Sequence, residues 1–209
     1  LLFLLLATGD AEPGGPATGI NKGGEVMTSM LDMLGGLMGG NEVKEISQKL
    51  GADEKTTKNA MGAGLATLLG ALQRNAAKPG GAEAIQNALD RDHDGSELGN
   101  LKALVNDPKS GNGDGILKHV LGNRRGSIES GLSKTTGLSE KGTNDMMSML
   151  APLVMGALGK QKKEKGLDAN SLAGFLGQEG KAVEQEGGFG FIGKMLDSDG
   201  DGDFDLADA

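Results

Sequence analysis

The last thirteen residues of the chain, 197–209, combine oxygen-bearing side chains with the spacing that a calcium-binding loop requires. Counted from residue 197, aspartates occupy positions 1, 3, 5, 7, 9 and 12, and a glycine occupies position 6. Calcium takes about six to eight oxygen ligands from such a loop, and the glycine allows the sharp turn in its middle. The pattern therefore predicts a Ca²⁺ site, whose predicted ligands are Asp197, Asp199, Asp201, Asp203, Asp205 and Asp208.

The predicted ligands have different expected roles. The first three meet the ion through their side chains, whereas Asp203 uses its backbone carbonyl and Asp205 acts through a water molecule. Asp208 stands where an EF-hand loop usually has glutamate, and in this respect the loop resembles dockerin-type calcium loops. The alternative is a solvated acidic tail, because runs of aspartate and glycine often have no fixed structure.

An apolar stretch leads into this loop. Residues 189–196 place Phe191, Ile192, Met195 and Leu196 on one face of a predicted incoming helix. An exit helix would begin near Leu206, but only three residues follow it. The loop is therefore either a half site or part of a longer chain.

Composition limits the chemistry of the other residues. The formal net charge is −8, and the tail 197–209 supplies six of these negative charges without any Lys or Arg, so the rest is close to neutral. This balance gives no support for nucleic acid as the main partner. Cysteine is absent, which excludes disulfides, zinc–thiolate sites and thiol catalysis. The 38 glycines, many of them in helical patterns, predict either close helix approach or loose packing.

Residues 1–26 are expected to be a leader or linker outside the native fold. Residues 1–7 (LLFLLLA) are too short to span a bilayer and are compatible with the remnant of a signal peptide, which implies export or the cell surface. Residues 22–25 (KGGE) can be encoded by nucleotides like those of a bacterial ribosome-binding site, just upstream of Met27. We favour this second interpretation, which predicts translation from Met27 or Met30 and a cytoplasmic location.

From Met30 onward, apolar residues recur at helical spacing, so we predict an all-α fold, a compact multi-helix bundle. Asp53 should cap a long third helix, and residues 106–115 should form a polar loop. Pro152 lies inside the eighth helical pattern, where it should kink the helix or make it begin later. The apolar run 148–159 has the length of a core helix and not of a membrane span.

The helical pattern repeats. LGADEKT (50–56) recurs as TGLSEKG (136–142), and LLGAL (68–72) recurs as VMGAL (154–158), both at an offset of 86 residues. We infer two similar helical half-repeats that pack together, because neither half would bury its long apolar helix alone. The predicted domains are a leader (1–26), a first helical half (27–109), a second helical half (110–180) and a linker with the incoming helix and acidic loop (181–209).

Six segments of the chain resemble a known bacterial family: GGLMGG (35–40), DHDGSELGNL (92–101), GDGILKHVLGN (113–123), TGLS (136–139), MLAPLVMGALGKQ (149–161) and LDANSLAGFLGQE (167–179). Together they resemble the domain of unknown function 937, or YidB-like, family, and MLAPLVMGALG is the most specific piece. The resemblance implies a compact all-helical fold with homeodomain-like elements and no established activity. It also implies a helix after the acidic loop, so the missing exit helix indicates truncation.

Other motifs have simpler interpretations. D-R-D-H-D-G (90–95) is half of a second calcium loop, but its position 12 is Leu101, so a helix-capping acidic turn is favoured. The similar half loop 110–115 is interpreted as a turn. G-x-G-x-x-G at 188–193 follows no predicted strand, which argues against nucleotide binding. His93 and His119 have no catalytic partners in the sequence and are expected to be solvated or capping.

Two functional hypotheses remain from the sequence. The first is a non-enzymatic bacterial helical protein that binds calcium through the terminal loop, with self-association or a protein partner left open. The second is a DNA- or protein-binding helical module, which needs a basic face. The cations available for such a face are Lys160, Lys162, Lys163, Lys165, Arg124 and Arg125.

Overall fold

The computed structural model describes residues 30–37 and 41–185. The predicted leader, incoming helix and calcium loop lie outside these residues. Within them every regular element is a helix, which confirms the predicted all-α class. The helices are α1 (Met30–Leu37), α2 (Asn41–Leu50), α3 (Glu54–Ala77), α4 (Gly81–Asp92), α5 (Leu101–Asn106), α6 (Gly113–Leu121), α7 (Arg125–Thr136), α8 (Glu140–Lys165) and α9 (Ala169–Gln185). Short 3₁₀ turns, Ser96–Asn100 and Gly122–Arg124, precede α5 and α7.

The two longest helices begin with side-chain caps. The carboxylate of Asp53 accepts a hydrogen bond from the Thr56 backbone N–H at 2.9 Å, so the predicted cap of α3 is confirmed. Ser139 does the same for α8, where its Oγ accepts from the Gly142 N–H at 3.0 Å. These bonds satisfy backbone donors that have no partner in the first turn of a helix.

The core is one connected cluster of buried apolar side chains centred on α3 and α8. Both helices are buried over most of their length, and they pack against each other, with α9 also lying on α3. Leu69, Met147 and Leu158 are fully buried. Aliphatic and methionine side chains thus fill the interior, as a chain without tyrosine or tryptophan requires.

The offset of 86 residues also relates α3 to α8 in the structure. Asp53 and Ser139, the two caps, are 86 positions apart, and eleven of the twelve buried positions of α3 fall on buried positions of α8. Thr57 and Thr143 are a more specific correspondence between the two helices. Both residues are fully buried, and the hydroxyl of each has no hydrogen-bond partner among the described residues. The predicted domain boundary at 109/110 falls in the loop between α5 and α6, and the division into halves stays a prediction.

One local prediction was wrong, and one of the two outcomes expected for Pro152, a later helix start, is excluded, whereas the kink stays a prediction. The polar loop predicted over 106–115 ends earlier, because α6 begins at Gly113. The helix α8 does not begin after Pro152 but at Glu140, and it continues through the proline. Both regions take part in one contact between α6 and α8. Pro152 has no N–H to bond the Ser148 carbonyl one turn earlier, and Gly113 lies so close to that carbonyl that a Cβ there would be 1.9 Å from its oxygen.

Candidate functional site

The acidic turn after α4 caps helices, as the favoured interpretation predicted. His93 ends α4, and its backbone N–H donates to the Leu89 carbonyl at 3.1 Å. Asp94 accepts a hydrogen bond from the Ser96 N–H at 3.0 Å, and its bonds to Ser96 lower the pKa of the Asp94 carboxyl below the usual range. Leu101, at position 12 of the half loop, is buried in α5.

A side-chain pair fixes this turn against α8. His93 Nδ1 lies 2.6 Å from Glu97 Oε1, and both side chains are mostly buried. The other carboxylate oxygen of Glu97 accepts from the Gly95 N–H at 3.2 Å. Beneath them, a Cβ on Gly159 would lie 1.8 Å from the His93 carbonyl oxygen, so α8 can approach the turn only with glycine there. His93 is therefore capping but not solvated, whereas His119 is exposed on α6.

The second half loop, 110–115, is also structural. Asn112 adopts φ +54°, a left-handed conformation that asparagine tolerates, and α6 begins at the next residue. Asp114 does not point to an ion but pairs with Arg125 at 2.6 Å. The Arg125 hydrogen bond is the main cause that lowers the pKa of Asp114, and Ser148 adds a weaker bond. Arg125 continues the network to Glu129 at 2.7 Å.

The cations proposed for a basic face are largely engaged within the chain. Lys162 Nζ lies 2.5 Å from the Asp90 carboxylate, and Lys165 Nζ lies 4.5 Å from the centre of the Phe175 ring. Lys160 is 3.9 Å from Glu164. The ion pairs of Lys160, Lys162 and Arg125 offset part of the positive charge that a DNA-binding surface would need, whereas the ring contact of Lys165 leaves its charge in place.

A groove between α4 and α6 was not predicted from the sequence. Each of these helices packs on α3 and on α8, and the space between them has a volume of about 590 Å³. Apolar side chains from four helices form the floor and walls of the groove: Leu72, Ala84, Ile85, Ala88, Ile116, Val120 and Met155. The sequence signal that could have found it is the spacing Gly80, Ala84 and Ala88, which puts small residues along one side of α4.

The rim of the groove is polar and mainly basic. Lys78 and Arg91 stand near the two ends of α4, and the exposed His119 comes from α6. Among the described residues that line the groove, Asp92 is the one carboxylate, and it pairs with Arg91 at 2.6 Å. The site thus offers an apolar floor with a cationic edge.

The six predicted calcium ligands, Asp197 to Asp208, lie outside the described residues, so their geometry stays a prediction. Over residues 30–37 and 41–185, no group of three or more His, Asp or Glu side chains is placed to hold a metal ion. Among the helices of the same two ranges, none combines the length and the hydropathy needed to cross a bilayer.

The described residues define an all-helical bundle with one core and an apolar groove between α4 and α6. The profile of a family described as "Bacterial protein of unknown function (DUF937)" matches residues 32–161. The match covers more than half of the chain, so the chain belongs to this family, as its segments suggested. Neither the comparison with curated proteins nor the comparison with solved structures found a match.

Proposed function

We propose that this chain is a non-enzymatic bacterial protein whose helical body carries a calcium-binding loop at residues 197–208. The observation that carries the proposal is the placement of six aspartates and one glycine at the positions that an EF-hand loop needs. Without a cation these carboxylates repel one another, and a bound Ca²⁺ removes the repulsion and orders the loop. Family membership fits a bacterial protein of uncharacterised role.

The acidic residues of the body are compatible with the assignment to the tail, because the aspartates of the two half loops, and Asp168, have other partners. Asp94 accepts from Ser96 and Asp114 pairs with Arg125. Asp168, before α9, accepts from the Ser171 N–H at 2.8 Å, which lowers its pKa. These carboxylates stabilise helix ends and a helix–helix contact.

Calcium titration by calorimetry tests the proposal. Asp199→Ala and Asp201→Ala each remove a side-chain ligand, so we expect the calcium affinity to fall at least about tenfold, which is about 1.4 kcal/mol. The matched control is Glu83→Ala, which removes an exposed carboxylate on α4 and should leave the affinity unchanged. Equal affinities in all four proteins would reject the ligand assignment, and a wild-type chain that binds no calcium would reject the function.

The alternative function, a DNA-binding helical module, rests on the resemblance to homeodomain-like elements. The pairing of Lys162 and Arg125 with carboxylates weakens it. Retention of the chain on DNA at low salt, lost as salt rises, would favour this alternative over the calcium proposal.

A further inference from the structure

The groove between α4 and α6 has the shape and chemistry to receive an apolar helix face. Its floor is made of side chains that are already buried, Leu72, Ile85 and Met155 among them, while Ala84 and Ala88 leave its α4 wall open. Small residues along a helix allow another backbone to come close. A helix laid between α4 and α6 would cover Ala84 and the partly exposed Val120.

Another depression of similar volume does not share this chemistry. It measures about 540 Å³ and lies between α2 and α5. Its lining is polar and charged apart from Val105, and the side chain of Lys49 reaches across it to the Asn106 carbonyl at 2.8 Å. Of these two surfaces, the α4–α6 groove is therefore the one that suits an apolar occupant.

We propose that this groove holds residues 191–196 of the same chain. That segment carries four large apolar residues at helical spacing, Phe191, Ile192, Met195 and Leu196. An exposed face of this size gains free energy when it leaves water, at about 25 cal/mol for each Å² of apolar surface buried. The groove supplies a complementary apolar surface on the folded body.

The connection is long enough. The last described helix, α9, lies on α3, and a Cβ on Gly180 would be 2.3 Å from Gln73 Oε1. Gln73 is the neighbour of Leu72, which lines the groove, and α9 also packs on α4, one wall of the groove. A helix is about 10–12 Å wide, and the five residues 186–190 reach about 17 Å when extended. These five residues can therefore span the width of one helix from the end of α9.

Charge favours the same occupant. The aspartates begin immediately after Leu196, and the tail from residue 197 carries six of them with no cation. The rim of the groove presents Lys78 and Arg91 against one carboxylate, Asp92, which pairs with Arg91, so the described lining has one positive charge in excess. An apolar segment followed by an acidic one thus meets an apolar floor with a basic edge.

This inference goes beyond the proposed calcium site and does not depend on it, because the docking segment precedes the aspartates. Calcium binding and docking can each hold or fail alone. The test is therefore run in a calcium chelator, where ion binding has no part in the result.

Crosslinking of the full chain tests the proposal. Because the chain has no cysteine, only the introduced thiols can react with the crosslinker. Ala84→Cys places a thiol in the groove, and Lys194→Cys places one in the segment. The control pair uses Ala103→Cys, an exposed alanine on α5, with the same Lys194→Cys. With a short bismaleimide, we expect the groove pair to form an intramolecular crosslink in monomers at least about fivefold faster than the control pair, since docking raises the effective concentration.

A second variant keeps the result independent of the fold of the body. Phe191→Ser with Leu196→Ser, added to the groove pair, removes the apolar face outside the helical body and should lower the rate to that of the control. Equal rates for the two cysteine pairs, or no effect of the serine substitutions, would overturn the proposal. Crosslinks that form only between two chains would also overturn it and would assign the groove to a second copy.

Discussion

The carboxylate of Asp114 joins the start of α6 to α7 by its pair with Arg125, and Arg125 in turn holds Glu129. Glu129 is mostly buried and also accepts a hydrogen bond from the side chain of Asn144 on α8, at 3.2 Å. A charge placed in a partly buried position is stabilised when its partners are fixed. This small network therefore ties three helices at one point.

The network makes a prediction about pH. The folded-state pKa of Asp114 is below its ordinary value, mainly because Arg125 donates to it, so the ionised carboxylate stabilises the fold above the unfolded-state pKa. That contribution is lost as the pH falls through the lowered pKa. Asp114→Asn should lower the free energy of unfolding at pH 7 by about 0.5–1 kcal/mol and by less near pH 2.5, as measured by urea denaturation.

Glu45→Gln is the matched control, because Glu45 is an exposed carboxylate in the middle of α2. Its free energy of unfolding should equal that of the wild type at both values of pH. If Asp114→Asn costs as much at pH 2.5 as at pH 7, its effect does not come from the lost charge.

At the scale of helices, the positions of glycine residues determine how closely neighbouring elements can approach each other. The sequence left two interpretations of its glycine content, close approach or loose packing, and the structure confirms the first at Gly113 and Gly159. Each lies against a backbone carbonyl, that of Ser148 and that of His93. A carbonyl cannot move aside as the end of a flexible side chain can, so these contacts fix the positions of α6 and of the acidic turn on α8.

Gly113→Ala tests this close approach. The new Cβ would lie 1.9 Å from the Ser148 oxygen, so α6 must shift away from α8, and we expect a loss of about 2–4 kcal/mol in thermal or urea unfolding. Gly126→Ala in α7 is the control, because nothing lies within 4 Å of a Cβ there. It should instead gain up to about 1 kcal/mol, since alanine favours a helix. A neutral Gly113→Ala variant would contradict the packing described here.

Sequence patterns predicted the elements better than their contacts. The cap at Asp53 followed from local chemistry, and the all-helical class followed from the apolar periodicity after Met30, so these were confirmed. The start of α6 was missed because Gly113 looks like part of a loop until its contact with Ser148 is known. The groove was missed because it depends on how α4 and α6 lie on a third helix, and spacing along one chain does not specify that.

For the whole molecule, the main feature is a single core to which both predicted halves contribute. The cluster runs from Leu34 and Leu68 to Leu153 and Leu176 without a break. Each half alone would expose the face of α3 or of α8 that the other covers. We therefore expect that neither half is stable alone, although the sequence repeat divides the chain into two similar halves.

Separate fragments test this expectation. Residues 30–109 and residues 110–185, each purified alone, should show no cooperative thermal transition by circular dichroism, because each leaves one long apolar helix uncovered. An equimolar mixture should regain helical signal and unfold cooperatively. A cooperative transition in either fragment by itself would show that the halves are independent domains.

The packing of α3 against α8 and α9 has a consequence for how the protein is made. When a ribosome has released residues up to the end of α3, the preceding α2 can already pack on it, but α8 and α9, which cover most of it, have yet to emerge. The nascent chain must expose an apolar helix surface until more than half of its length has been synthesised. Cells that produce this chain in quantity should therefore need a chaperone that recognises such surfaces, and the rate of elongation should influence the yield of folded product.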